Sequence, residues 1–345
     1  MNRAWVKVSQ RRTNLQTAIT TMNTICIDIG NYSVLSSVVG STDTTPVKIW
    51  RSLIYDTTNN GTVRDGLHRS DSPLVGVNGK YFKLGHQASR QPGCLSAAEA
   101  GKNQPDIFLP MLLAATPDGF DGEVSMLVPK RDSNAETWIR TAVLGQHEYS
   151  VDKVGRSASI TNINFEIESE TALLYAFITG LVPSDTGVLL IDIGGGTVNA
   201  VASTFCQGHL DIIWRNSYDN SGGIALASAI ANTDHVKAQK TMNKADIMDA
   251  IAMGKRYICN RPDRSFEPVF DDCLRNWFKA IRTTILSDAD SSLSYVTHIV
   301  WMGGAAELLR PQLQGKEGQI VFPQPQYANI NALIHLNGGD ISKAA

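Results

Sequence analysis

Two rhythms of apolar residues run through the chain. Short runs in which every residue, or every second one, is apolar are bounded by Gly, Asn, Asp or Pro, and they read as strands. Residues 24–29, Thr-Ile-Cys-Ile-Asp-Ile, form one that ends at Gly30, and Ser33 to Val39 reads as its returning hairpin partner. Val75 to Leu84 carries Asn78-Gly79, the dipeptide best suited to a tight hairpin turn. Glu123 to Pro129 is a strand stopped by proline, and Ile160 to Ile167 alternates like a half-buried strand. Val188 to Ile193 is unbroken and apolar, as in a strand buried on both faces, with Ala200 to Phe205 as its partner; Val296 to Met302 is a further strand. The other rhythm is helical. Leu274, Trp277, Phe278, Ile281 and Ile285 follow the 3–4 spacing of one amphipathic helix over Asp272 to Leu286. Helices are also predicted over Asn134 to Leu144, over about 170–181 behind a capping Ser169, from Gly222-Gly223 to about Asn232, over Ala245 to Ile258, and after Gly303-Gly304-Ala305 to near Pro311. Residues 101–118, with Pro105, Pro110 and Pro117, read as an apolar helix or loop, and residues 56–72 as an exposed polar loop.

Strands alternating with helices predict an α/β protein. At 345 residues the chain exceeds one ordinary core and suits two domains of roughly 150 residues each. The turn Pro183 to Gly187 is the natural boundary, giving a first domain over 23–182 and a second over 183–330, with 331–345 expected to pack back on the first. Residues 1–22 differ: Arg3, Lys7, Arg11 and Arg12 occur with no acid, and a flexible basic extension is expected there. A formal net charge of −2 argues against a direct grip on nucleic acid, which needs a strongly basic domain. Cys26, Cys94, Cys206, Cys259 and Cys273 are scattered without a C-x-x-C spacing, and the seven histidines make no H-x-x-x-H pair, so buried thiols in a reducing cytosol are expected rather than zinc. No apolar run approaches the ~20 residues that span a bilayer; a cytoplasmic protein without membrane contact is expected.

The chemistry lies in an internal repeat. Ile25-Cys26-Ile27-Asp28-Ile29-Gly30 recurs one domain later as Leu189-Leu190-Ile191-Asp192-Ile193-Gly194. Each copy is a strand ending in Asp-x-Gly before a tight turn and a second strand. Glycine lets backbone come close to a ligand, and consecutive N–H groups in such turns form an anion nest. Gly194, Gly195, Gly196 and Thr197 offer such donors in the second copy, and Gly30, Asn31, Tyr32 and Ser33 in the first. Two such loops could hold a phosphate chain from both sides. Two aspartates would repel that chain, so a bridging Mg²⁺, which favours carboxylates, waters and phosphate oxygens, is expected beside Asp28 and Asp192. Strand 296–302 running into Gly303-Gly304-Ala305 adds a bare backbone surface against which a nucleotide could pack.

These motifs resemble those of the actin / heat-shock-chaperone / sugar-kinase superfamily. Asp28-Ile29-Gly30 looks like its first phosphate loop, Asp192 to Thr197 like its second, and Met302-Gly303-Gly304-Ala305 like its adenosine motif, over the span 23–334. Gly222-Gly223 with its Ala-rich helix further resembles the ParM-type bacterial actins. The resemblance implies a two-domain fold with ATP or ADP, or else GTP, and Mg²⁺ in the interdomain cleft, the metal held through water by Asp28 and Asp192. It also implies filament formation by self-association, nucleotide hydrolysis, and segregation of plasmid DNA through a ParR-type DNA-binding adaptor. Ile167-Glu168-Ser169-Glu170-Thr171-Ala172 is similar to the family's catalytic-acid pattern, with Ile in place of Pro. It makes Glu168 the candidate for orienting the attacking water and Glu170 the reserve. Where ParM-type first loops often carry a lysine seven residues after the Asp, this chain has Leu35. Lys255 and Arg256 are candidates for the adenine pocket, or else part of a solvated helix face. Other readings within the superfamily are a scaffold for cell shape, division or organelle placement, and a small-molecule kinase or polyphosphate hydrolase.

Overall fold

The computed structural model describes residues 23–40, 43–58, 71–89, 91–97, 104–206, 209–239, 242–258 and 261–344. The basic segment 1–22, most of the polar loop 56–72 and Cys259 lie outside the described residues. The described chain divides into two compact units, one of 23–175 with 329–344 and one of 176–328.

The first unit is organised by β1 (Asn23–Ile29), β2 (Ser33–Val39), β3 (Lys48–Arg51), β4 (Leu53–Asp56), β5 (Leu74–Val77), β6 (Lys80–Leu84), β7 (Leu95–Ser96), β8 (Phe120–Val128), β9 (Gly145–Val151) and β10 (Val154–Ile167). They form one sheet in the order β3-β2-β1-β8-β10-β9-β5-β6-β4-β7. β1 lies antiparallel to β2 and parallel to β8, and β8 is parallel to β10. Strand periodicity divides β1 between two faces. Ile25, Ile27 and Ile29 join Val34, Trp50 and the helix Pro105–Ala115, with Phe108, Met111 and Leu112, in the unit's core. Pro105 begins that helix, where a missing N–H costs nothing. Cys26 and Asp28 take the other face, where the Cys26 thiol donates to the Leu333 carbonyl at 3.8 Å from helix Ala328–Leu336. Two hairpins turn through successive left-handed residues, Asn78-Gly79 (φ 53° and 73°) and Asp152-Lys153 (φ 54° and 69°). The first is the turn expected from its dipeptide; the second, and with it β9, has no Gly to signal it.

The second unit contains β11 (Gly187–Ile193), β12 (Thr197–Cys206), β13 (His209–Asp219), β14 (His298–Met302) and β15 (Gln319–Val321), in the order β13-β12-β11-β14-β15. All seven residues of β11 are buried, as its unbroken apolar run demands. Ile191, Ile193, Val198 and Ala200 pack with Leu226, Ile230, Ile247 and the long helix Glu267–Asp288. That helix buries Leu274, Trp277, Ile281 and Ile285 of the predicted stripe, with Phe278 partly buried beside them. Each such large apolar side chain contributes about 1.5–3 kcal/mol by leaving water.

Three helices differ from expectation. The one predicted over Ala245 to Ile258 runs only over Lys244–Ala252, because Gly254 takes a left-handed φ of 69° and ends it. After Gly303-Gly304 comes a 3₁₀ turn, Ala306–Leu309, and then a four-residue helix, Arg310–Leu313. Pro311 therefore sits in a first turn rather than at an end. Ser169 does not take the extended conformation of a capping serine; it stands at φ 65° ahead of helix Glu170–Ile178.

Candidate functional site

In the second unit the turn after β11 is held from behind. Gly194 N–H donates to the Thr197 carbonyl at 3.0 Å, closing the hairpin. The carbonyls of Gly194, Gly195 and Gly196 then accept from Gly223, Ile224 and Gly222 at 3.0, 2.8 and 3.3 Å. These donors belong to the N-terminal end of helix Gly223–Ala231. A side chain at Gly222 would prevent this approach, since its Cβ would stand 2.4 Å from the Gly194 carbonyl oxygen. In a trans peptide the N–H points opposite to its own carbonyl, and the described chain has no cis bond. The N–H groups of Gly195, Gly196 and Thr197 therefore point away from that helix as three consecutive donors. Gly222 and Gly223, by contrast, direct their own N–H groups into the turn.

Asp192 lies on the other side of this turn. The residue is 6% exposed, on the face of β11 opposite the helix-covered core. In the parallel ladder it pairs with Met302, which brings Gly303 against it. Gly303 has φ 86°, and a Cβ there would meet Asp192 Oδ1 at 2.5 Å and the Ile193 carbonyl oxygen at 2.4 Å. Ala305 N–H donates to that same Ile193 carbonyl at 3.2 Å. Asp192, Gly194 to Thr197 and Gly303 to Ala305 thus gather at the carboxyl edge of β11 and β14. Parallel α/β sheets bind ligands at this edge.

The first unit repeats the turn. Gly30 N–H donates to the Ser33 carbonyl at 3.0 Å, the same bond at the same length. Asp28 is 8% exposed, again on the face away from the helix-covered core. β1, β8 and β10 run parallel, and Glu168 follows the end of β10 with its N–H on the Val128 carbonyl at 2.9 Å. Asp28, Gly30 to Ser33 and Glu168 therefore gather at one carboxyl edge of the first unit. Burial pushes the nearby Cys26 thiol far above its ordinary pKa, which keeps it protonated and inert.

A cation is also present at this turn, although residue 35 is a leucine. Arg51 pairs with Ser33 across β2 and β3, while Leu35 pairs with both Ile49 and Asp28. Directly opposed residues share a face, so Asp28, Leu35, Ser33 and Arg51 lie on the same one. Arg51 is thus the diagonal neighbour of Leu35, and its guanidinium lies 4.0 Å from the centre of the Tyr32 ring. Sequence reasoning missed Arg51 because its place depends on the β2–β3 register. Lys255 and Arg256 follow the shortened helix: the Arg256 guanidinium stacks on Phe270 at 3.6 Å, and Lys255 Nζ is 5.9 Å from the Tyr257 ring. No cluster of three or more His, Cys, Asp or Glu able to hold a metal occurs among the described residues.

The two units share one plan. Strands β3-β2-β1-β8-β10 and β13-β12-β11-β14-β15 have the same order and the same pairing directions, with the Asp-x-Gly turn after the corresponding strand. Among solved structures the chain is similar to an archaeal actin homologue, with a TM-score of 0.72 at 15% identity over 92% of this chain and 99% of that one. It is also similar to the subunit of a 15-stranded ParM filament from Clostridium botulinum, with a TM-score of 0.69 at 16% identity over 92% and 99%. A third similar structure is Bacillus thuringiensis ParM with ATP, at a TM-score of 0.64 and 13% identity over 92% and 98%. The fold is actin-like, of the ParM type. No protein-family model and no curated protein matches the sequence. The actin-like fold is accordingly established by shape over nearly the whole chain. No helix among the described residues is long and apolar enough to cross a membrane.

Proposed function

We propose that this protein binds ATP with Mg²⁺ at its Asp-x-Gly turns, hydrolyses it, and assembles with copies of itself into a filament. The observation that carries the reading is the duplicated turn: a buried carboxylate two residues before a glycine whose N–H closes the hairpin at 3.0 Å, at the carboxyl edge of the same five-strand pattern in both units. The actin-like structures that it resembles include one with ATP, one in complex with ADP and one in a filament, which supports nucleotide binding and self-assembly.

The residues suit this chemistry. Gly195, Gly196 and Thr197 direct three N–H groups away from the helix that anchors their turn, as a polyphosphate requires. Gly303 leaves open the space beside Asp192 that any side chain would fill. Single carboxylates at each turn, without an all-protein cage, fit a cation that keeps most of its waters and arrives with the triphosphate. Asp28 and Asp192 would hold Mg²⁺ through water, and when bound it supplies charge neutralisation on the phosphates. Arg51 provides the first turn with the positive charge that Leu35 does not. Glu168 orients the water whose oxygen bonds to the γ-phosphorus as the bond to the bridging oxygen of ADP breaks; positioning and charge, not covalent chemistry, dominate such a step. The filament would act in the cytoplasm and move plasmid DNA through a ParR-type adaptor.

The test follows phosphate release and light scattering together after Mg-ATP is added. Scattering that rises and then decays as phosphate appears is expected. Asp192→Ala should lower phosphate release about a hundredfold or more, on the scale of removing a transition-state contact. Hydrolysis by Asp192→Ala at the wild-type rate, or phosphate release that requires an added sugar or polyphosphate and never gives scattering, would overturn the proposal.

A further inference from the structure

The backbone around Glu168 is tied down more firmly than a loop between a strand and a helix requires. The peptide unit before it is held at both ends. The Ile167 carbonyl accepts the Thr171 hydroxyl at 2.8 Å, and Glu168 N–H donates to the Val128 carbonyl at 2.9 Å. The unit after it is held at both ends as well. The Glu168 carbonyl accepts Glu170 N–H at 2.7 Å, and Ser169 N–H donates to Asn329 Oδ1 at 3.1 Å. The bond from Glu170 to Glu168 closes a three-residue γ-turn centred on Ser169, whose φ is 65°. A γ-turn with a positive central φ is rare and strained, more so for a residue that carries a Cβ. Ser169 is 1% exposed and Asn329 9%, so their bond forms away from competing water.

Two of these four bonds are made within the strand and helix that flank Glu168, and a third comes from the end of the neighbouring strand β8. The fourth comes from a side chain far along the chain, at the start of helix Ala328–Leu336. With both neighbouring peptide planes fixed, the direction in which the Glu168 side chain leaves the backbone is fixed too. We propose that Asn329 is a positioning residue for Glu168: its carboxamide oxygen stabilises the strained turn at Ser169 and so sets the aim of the water-orienting carboxylate. This rests on the role given to Glu168 above. It does not require Asn329 to touch the nucleotide.

Misplacing a catalytic group by about 1 Å can cost up to a hundredfold in rate without changing binding. In the full chain, Asn329→Ala is therefore expected to lower kcat for ATP hydrolysis about ten- to a hundredfold with KM unchanged. The rate is counted per nucleotide-binding site, so that any misfolded fraction drops out. Asn329→Asp keeps an acceptor oxygen in place and should recover most of the rate. If Asn329→Ala does not fold, Asn329→Leu, which is close in volume and has no acceptor, is read in the same way. Wild-type kcat in Asn329→Ala, equal losses in the alanine and aspartate variants, or a loss confined to KM would overturn the inference. Glu168→Gln separates this from the broader reading. If it binds Mg-ATP but does not hydrolyse it while Asn329→Ala is normal, only the positioning role fails. If it hydrolyses ATP as wild type does, the role of Glu168 itself fails.

Discussion

Arg51 shows how one residue acquires meaning from its neighbours. On its own it is a strand-end cation, and such residues are usually solvated. Placed across from Ser33, diagonal to Leu35 and over the Tyr32 ring, it brings a guanidinium to the face that carries Asp28. Arg suits this position better than Lys would, since its planar fork can lie on an aromatic ring and still offer paired donors to phosphate. A charge-assisted hydrogen bond is worth about 1.5–3 kcal/mol. Arg51→Ala should thus weaken Mg-ATP binding by about tenfold or more, as measured by calorimetry, with the thermal midpoint of the nucleotide-free protein little changed. Unaltered affinity in that variant would mean that the first turn holds phosphate by backbone and hydroxyl groups without a cation.

Among the elements, the join between β14 and its turn leaves no room for a side chain. Gly303 is required for two separate reasons. Its φ of 86° lies where a Cβ is strained, and that Cβ would lie 2.4 Å from the Ile193 carbonyl oxygen, a backbone atom that cannot rotate away. Its own N–H is on the Pro325 carbonyl at 2.8 Å, so the turn cannot easily relax outward. Backbone strain and overpacking of this kind cost about 1–3 kcal/mol each. Gly303→Ala is expected to lower stability by about 2–6 kcal/mol in a denaturant melt and to reduce Mg-ATP binding together with it. Gly304→Ala is the control, since its Cβ would meet only Gln326 Cγ at 3.9 Å; a similar loss of stability there would show that the steric account is wrong. The elements were unevenly legible in the sequence. Helix Glu267–Asp288 could be read from its stripe because burial on one side imposes a period on the sequence. β13 and β9 could not, since their outward residues are polar or exposed and they owe their place to a neighbouring strand.

For the whole molecule, the consequence to test is linkage. A ligand that binds the folded chain but not the unfolded one raises stability by about 2.7 kcal/mol at a hundred times its dissociation constant. Mg-ATP should therefore raise the melting temperature measurably, and addition of EDTA should remove much of that gain if the metal helps to hold the phosphates. A shift with Mg-ATP that is indifferent to EDTA would separate nucleotide binding from the metal. The same measurement with Asp28→Ala and Asp192→Ala asks whether both turns contribute, as the common strand plan of the two units suggests.

What the sequence determined by itself was everything that depends on local period and local chemistry. The two Asp-x-Gly turns, their flanking strands, the Asn78-Gly79 hairpin and the stripe of the long helix all follow from residues within a few positions of one another. Tertiary structure alone decided what depends on partners distant in the chain. Arg51 came to the first turn through the register of β2 and β3. Gly222 proved to be a point of close approach because the carbonyls of Gly194 to Gly196 cap the helix that follows it. Ser169 reads as an ordinary helix cap, whereas the fold closes a γ-turn at it and brings the Asn329 side chain, 160 residues along the chain, onto its N–H. A periodic pattern records which face of an element is buried; it carries no record of which distant group will share that face.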